Sequence, residues 1–469
     1  MHNCVLGEVF ADLRKAFLRG VPARFTLNPR KVRVLSVAAL SVMLTMGVLS
    51  AQIDPRVRPG PPGAGGPING LTQGELDFFN IQGVPDFIQV EDVPNNGLGP
   101  RFNLDSCGGC HAQPATGGSS PFTNPQVARA ATMAPPPANQ IPAFLSLAGP
   151  VREARFVRKP DGTPDGGVHD LFVVTGRSDA PAGCAIQQPN FAQALAQQNV
   201  IFRIPTPVFG AGLLEAITDT TLRQSLASDP DGNKALFGIK GRFNTSGNDG
   251  TITRFGWKAQ NKSLEIFAGE AYNVEMGVTN EVFQTEREEH PACSKVVTPN
   301  TDLTFNPGGS VASSDVLNFR GFMRFLAPPA PACVGAACSA SIQNGAKLFV
   351  TFGCATCHTP TLITGNDATA ALRNQPVNLF SDMAIHHMGS GLADGVSQGA
   401  AGPDEFRSAP LWGVGQRIFF LHDGRTSDLL QAIAAHAGIG SEANLVVAAF
   451  ELILTPHQKQ DILNFLRSL

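Results

Sequence analysis

Two short stretches constrain this chain more than anything else in it: Cys107-Gly108-Gly109-Cys110-His111 and Cys354-Ala355-Thr356-Cys357-His358. In C-x-x-C-H the two thiols are spaced to add across the two vinyl groups of a haem, and the adjacent imidazole then reaches the iron from one side. A lone C-x-x-C is equally the mark of a redox dithiol or of half a zinc site. Here neither pair follows a βαβ pattern, and neither has the second pair that a closed zinc site needs. The reading is two covalently bound haem c groups. Cys107, Cys110, Cys354 and Cys357 are the attachment points, and His111 and His358 the proximal ligands. Much of the core is then porphyrin, which suits the composition. Charged residues are 16%, below the roughly one quarter usual in soluble domains, while Gly 49 and Pro 36 are high. Many loops around short helices are expected.

Haem attachment to cysteine is made outside the cytoplasm, and the N-terminus fits export. Residues 34–53 run VLSVAALSVMLTMGVLSAQI without a charge, behind Arg30, Lys31 and Arg33, with a small-residue exit at Ser50-Ala51. A cleaved secretory signal is the first reading of this pattern. An uncleaved inner-membrane tether through 34–53 is the second, since the run is long enough for one span. Either places the bulk of the chain in the periplasm. All seven Lys and Arg residues of the first 51 positions precede that run, against Glu8 and Asp12, so the remainder is more acidic than the overall net charge of −3. That excludes nucleic acid as a partner. In an oxidising compartment the even set Cys184, Cys293, Cys333 and Cys338 predicts two disulfides, with the pairing open, although ACVGAAC would close a small loop.

The expected fold class is mainly α, with two cytochrome c-like haem domains and an irregular, partly β middle insertion. Residues 1–53 are the signal or anchor and 54–70 a Pro/Gly-rich linker. Residues 71–335 form the first haem domain with its long insertion, and 336–469 the second. LTQGELDFFNIQG starts a helix, with Thr72 as N-cap and Glu75 completing a capping box. The approach to Cys107 reads as a loop and 112–142 as coil. Helices are expected in GLLEAITDTTLRQSLA, NKSLEIFAGEAYNVEM, SIQNGAKLFVTFG, TSDLLQAIAAHAG and TPHQKQDILNFLRSL. VHDLFVV and NVIFRIPTPVFG carry strand-like runs among turn signals.

The far side of each iron decides the chemistry: His or Met closes it for electron transfer, and an empty site admits a small molecule. For the second haem His436 is the candidate sixth ligand, with the run His386-His387-Met388 as competitor. His422 has a loop-fixing role beside an Asp423–Arg425 pair. For the first haem Glu275 could move a proton between the two oxygens of peroxide. Met276 is the alternative that closes the site, and His169 and His290 are rival ligands. Trp257 either bridges the haems or is core.

GLGPRFNLDSCGGCH (97–111), FGAGLLEAITD (209–219), RFGWKAQ (254–260), EMGVTN (275–280), FGCATCH (352–358) and APLWGVGQRIFFLHDGRTSDLLQAIAAHAG (409–438) occur in an order that resembles the bacterial di-haem cytochrome c peroxidase superfamily. More narrowly, the order resembles its branch of di-haem oxidoreductases, often labelled thiol-oxidoreductase-like. The resemblance implies that Glu275, before Met-Gly, is the acid–base residue beside the peroxidatic haem. It also implies a sixth ligand for the electron-transfer haem after the HDGR turn. A Met is common there; this chain has His436. It further implies a calcium ion between the domains, for which no residues stand out, and electrons from a small periplasmic cytochrome c or cupredoxin. The thiol-oxidoreductase label finds no free C-x-x-C. The expected function is peroxidase-like reduction of hydrogen peroxide, or peroxide-driven oxidation, at the first haem, with electrons relayed by the second. The alternative is a non-catalytic electron-transfer cytochrome, and a minor one is oxygenase-type cleavage of an organic substrate.

Overall fold

Short, well-capped helices are what a chain this rich in glycine and proline can sustain. The computed structural model describes residues 52–133, 138–286, 290–293, 303–305 and 312–469. The chain falls into two compact units, one comprising 1–52 with 455–457 and the other 53–454 with 458–469, and both pentads lie in the second. The hydrophobic run 34–53 lies almost wholly outside the described residues. Among the described residues no helix is long and apolar enough to cross a membrane.

The fold is mixed rather than mainly α. Five small antiparallel sheets accompany the helices among the described residues. Glu153–Phe156 lies between Val168–His169 and Val200–Arg203, with Glu153 opposite Arg203. Because side chains alternate along a strand, Glu153 and Arg155 share one face. Elsewhere Arg101–Phe102 pairs with Phe172–Val173, and Ile385–His387 with Glu405–Arg407.

One hydrophobic cluster is built around two helices. Leu264–Met276 is capped by Ser263 and ended by Gly277 at φ +69°; Asp315–Phe325 is capped by Ser314. Their buried faces, including Tyr272, Met276, Phe319, Phe322 and Met323, pack with Phe79, Phe87 and Leu214. The capping box at Thr72 forms as read, with the Thr72 backbone N–H donating to Glu75 at 2.7 Å. A second cluster joins Leu348 and Phe349 of helix Ala340–Thr351 to Phe450 and to Ile462, Leu463, Phe465 and Leu466 of helix Pro456–Ser468.

Two expectations are corrected, and the Pro/Gly-rich stretch 54–70, which forms no helix or strand, is pinned to the rest of the chain. Asp54 is 2% exposed, ion-pairs with Arg467 at 2.7 Å and accepts from the Leu429 backbone N–H, while the Arg58 N–H donates to the Gly415 carbonyl. The region 112–142 is not all coil, since Asn124 caps a helix Pro125–Ala130 with proline in its first turn. GLLEAITDTTLRQSLA is two helices, Ala211–Ala216 and Asp219–Ala227, because the Thr218 hydroxyl accepts from the Thr221 N–H and starts a new one. The open question of the disulfides resolves to Cys184–Cys293 and Cys333–Cys338.

Candidate functional site

Each pentad opens onto its own cavity. The first cavity is lined by Cys107, Cys110 and His111 on one side and by Ala268, Ala271, Tyr272, Glu275 and Met276 of helix Leu264–Met276 on another. Backbone hydrogen bonds hold the two segments together. The Gly99 N–H donates to the Met276 carbonyl at 3.0 Å and the Asn103 N–H to the Glu275 carbonyl at 2.7 Å. The approach is close enough that a Cβ on Gly99 would lie 2.1 Å from the Gly277 oxygen. Two sequence-distant motifs, GLGP and EMGV, are thus zipped so that Glu275 and His111 face one space.

His111 sits directly after the four-residue helix Cys107–Cys110, and its Nδ1–H donates to the Gly118 carbonyl at 3.0 Å. That bond leaves Nε2 as the nitrogen available to a metal and orients the ring. Burial pushes the imidazole pKa down to about 4, against the Gly118 and Thr206 carbonyls, so the ring is neutral. Burial, and then Glu275, push both thiols well up. Cysteines that stay protonated are poor zinc or redox thiolates. Glu275 itself is partly buried, and its carboxyl makes no hydrogen bond to another described residue. Burial first, then the carboxylates of Glu153, Glu270 and Asp170, raise its pKa to about 8, with Arg155 opposing. Arg155 is itself paired with Glu153 at 2.6 Å.

The second cavity brings together Cys354, Cys357, His358 and His436. His358 Nδ1–H donates to the Phe380 carbonyl at 3.0 Å, and His436 Nδ1–H to the Ala432 carbonyl at 2.7 Å. Both rings therefore leave Nε2 as the nitrogen available to a metal. Burial, followed by the nearby His436, lowers His358 to about 4, and burial lowers His436 too. Neutral imidazoles are the form that binds metal. The helix that carries His436 is shorter than expected: it ends at Ala434, and His436 lies in the turn beyond it.

The competing histidines are otherwise engaged. His386 lines the second cavity, but its nitrogens donate to Asp382 and Glu442, each at 3.1 Å. Burial alone would lower its pKa, but the Cys357 sulfur and the Asp382 carboxylate outweigh it and hold the ring well above the usual imidazole range. His387 is exposed and faces Asp404, while Met388 lines the cavity. His169 bonds Asp165 and stacks on Phe156, and His290 is exposed beside Cys293; neither lines either cavity. His422 is buried, lines the second cavity and stacks on Phe406 at 4.2 Å, next to the Asp423–Arg425 pair.

Trp257 lines both cavities. Its indole N–H donates to the Ile204 carbonyl at 2.9 Å, and its own carbonyl accepts from the Arg407 N–H. The neighbouring Lys258 is fully buried, paired with Asp394 at 3.1 Å, and fixes the turn.

Sequence reasoning missed Arg407 and Arg417, which line the second cavity. Arg407 is buried and Arg417 half-buried, and desolvation lowers each to about 10. Arg417 Nε and Nη2 have no hydrogen-bond partner, and in the first cavity Arg152 Nε and Gln260 Oε1 are likewise unpaired. Unpaired buried guanidinium groups are costly unless an anion meets them. The two propionates of a haem are such anions, so charge and ligand set fit the group. Among the described residues no cluster of three or more His, Cys, Asp or Glu is placed to hold a further metal.

Two cavities, each lined by one C-x-x-C-H, define a di-haem redox protein. The chain belongs to the di-haem oxidoreductase family: the family model described as "Di-haem oxidoreductase, putative peroxidase" matches residues 153–469. Membership brings haem as the cofactor. The matched stretch holds Glu275, Trp257 and the second pentad, and the first pentad lies outside it. No curated protein matches the chain. Among solved structures it is similar to hydrazine synthase of Kuenenia stuttgartiensis, at 14% identity over 56% of this chain and 88% of that one, with TM-score 0.28. It is also similar to a MauG-like protein associated with microbial copper homeostasis, at 17% identity over 56% and 89%, with TM-score 0.27. Likenesses this slight carry no weight in the argument.

Proposed function

We propose that the protein is a periplasmic di-haem c-type oxidoreductase that reduces hydrogen peroxide, or uses it to oxidise a substrate, at the first cavity. In this reading Cys107 and Cys110 hold one haem through thioethers and Cys354 and Cys357 the other, in domains spanning 71–335 and 336–469. His111 and His358 are the proximal ligands, and His436 is the sixth ligand of the second. One haem supplies an open coordination position for peroxide and the other a one-electron relay. The observation that carries the reading is the difference between the cavities. His111 shares its cavity with an unpaired carboxyl, and His358 shares its cavity with a neutral imidazole.

Glu275 takes the proton from the near oxygen of peroxide and returns it to the far oxygen, which leaves as water. A group that must accept and then release a proton works best with a pKa near the working pH, which a value of about 8 supports. His111, held by Gly118, keeps Nε2 on the metal side. Trp257, common to both cavities, gives electrons a path from the second to the first. The donor is a small periplasmic cytochrome c or cupredoxin.

The second reading, a pure electron-transfer cytochrome, needs a ligand that closes the first cavity. Met276 is its candidate, with Sδ 3.7 Å from Cys107 Sγ. Optical and electron paramagnetic resonance (EPR) spectra separate the two. Peroxide chemistry requires a high-spin haem that binds cyanide and reacts with peroxide in the oxidised or half-reduced protein. Low-spin signals alone, with no ligand binding, sink it.

A further inference from the structure

Tyr272 is the one tyrosine in the chain, against 31 phenylalanines. It is 1% exposed, lines the first cavity one helical turn before Glu275, and packs edge-on to Phe319 at 5.0 Å. Its hydroxyl donates to Asp315 Oδ2 at 3.0 Å. Asp315 is 7% exposed and is the first residue of helix Asp315–Phe325, where the helix dipole favours the ionised form. Every other buried aromatic residue of this cluster is a phenylalanine. A lone phenol with a buried carboxylate as its acceptor costs desolvation that packing does not require.

We propose that Tyr272 is a redox-active residue of the first cavity, giving one electron to the oxidant generated there while its phenolic proton passes to Asp315. The proposal rests on the peroxide reading. Reduction of hydrogen peroxide to two waters takes two electrons and two protons. One of those electrons comes from Tyr272. The phenol O–H bond breaks, the proton crosses the existing hydrogen bond, and a neutral phenoxyl faces a neutral carboxylic acid. The pair loses one electron, and its proton stays within the buried site. An electron arriving by way of Trp257 re-forms the O–H bond with the proton that Asp315 held. Tyr272 thus stores one oxidising equivalent until the donor delivers its second electron, or passes it to a substrate.

The test is rapid-freeze EPR of the full-length, haem-loaded protein mixed with hydrogen peroxide, with optical spectra recorded in parallel. A radical signal is expected whose hyperfine pattern narrows when the protein is made with ring-deuterated tyrosine. With a single tyrosine the assignment is unambiguous and needs no variant. The signal is lost in Tyr272→Phe. It forms about a hundredfold more slowly in Asp315→Asn, the low end of what a positioned base contributes. If the haem bands respond to peroxide but no signal is sensitive to the label, the proposal is overturned and the peroxide reading stands. If the haem bands do not respond, both fall.

Discussion

Replacing Glu275 with Gln tests the acid–base step directly, because the change preserves shape and removes only the titrating proton. A positioned acid–base group contributes roughly 10²–10⁴ in rate, or about 3–5 kcal/mol of barrier. The structure adds a pH signature. Glu275 is raised to about 8, by burial and then by Glu153, so at pH 7 only about one molecule in ten carries the carboxylate that accepts the first proton. Peroxide turnover should therefore climb about tenfold per pH unit up to about pH 8 and level off above it. The limb should vanish in Glu275→Gln. Glu153→Gln should move it to lower pH, by up to about one unit. That change removes a negative neighbour and frees Arg155, and both effects favour the Glu275 carboxylate. The assay is steady-state turnover of peroxide with a reduced c-type cytochrome between about pH 6 and 9. If the limb persists in Glu275→Gln, or the loss is below about threefold, the acid–base role is refuted.

The geometry supports three further outcomes. His436→Ala should turn the second haem high-spin and open it to cyanide. His436→Met should keep it low-spin and raise its potential, as Met/His ligation does; unchanged spectra in both would place the sixth ligand elsewhere. Replacing Cys107 and Cys110 together with serine should leave one haem of two on a denaturing haem-stained gel, and retention of both would refute attachment there. Burial raises Glu442, but His386 and the backbone N–H groups of Lys240 and Gly241 outweigh it and bring it to about 2. Because this folded-state pKa lies below the unfolded value, its contribution of roughly 3 kcal/mol is complete above about pH 4.5 and fades as pH falls towards 2. Acid unfolding of Glu442→Gln should therefore differ from the parent at neutral pH and converge with it at low pH; parallel curves would refute the pairing.

What could be read from the sequence was local chemistry, and what could not was the meeting of distant segments. The pentads, the capping box at Thr72 and the helix that carries Glu275 depend on residues a few positions apart. Helix Asp315–Phe325 has a local signal of the same kind that sequence reasoning missed, since Ser314 precedes apolar residues at 316, 319, 322 and 323 with helical spacing. The contact of Gly99 with Gly277 has no local signal. Nor does the burial of Arg407 and of the Arg417 Nε and Nη2 atoms, on residues that in sequence look like ordinary surface charges. The anchoring of residues 54–70 is likewise invisible locally: their composition is that of a linker, and Asp54 is fixed by Arg467 from the far end of the chain.

The junction between the cavities suggests where an oxidising equivalent comes to rest. Arg417 lies over the Trp257 ring at 5.6 Å, and even with its pKa lowered to about 10 it is charged at neutral pH. A cation held against an aromatic face is stabilised by the electron-rich ring, so taking an electron from that ring sets two positive charges against each other. The indole N–H, bonded to a backbone carbonyl, has no base to receive its proton. Trp257 is therefore suited to pass an electron and poorly suited to remain oxidised. Tyr272 is the reverse case. Its proton has a carboxylate 3.0 Å away, and its oxidation leaves the buried pair uncharged. Two aromatic residues of one cavity are separated in role by the charge each would carry once oxidised. The hole belongs on the residue that can shed its proton.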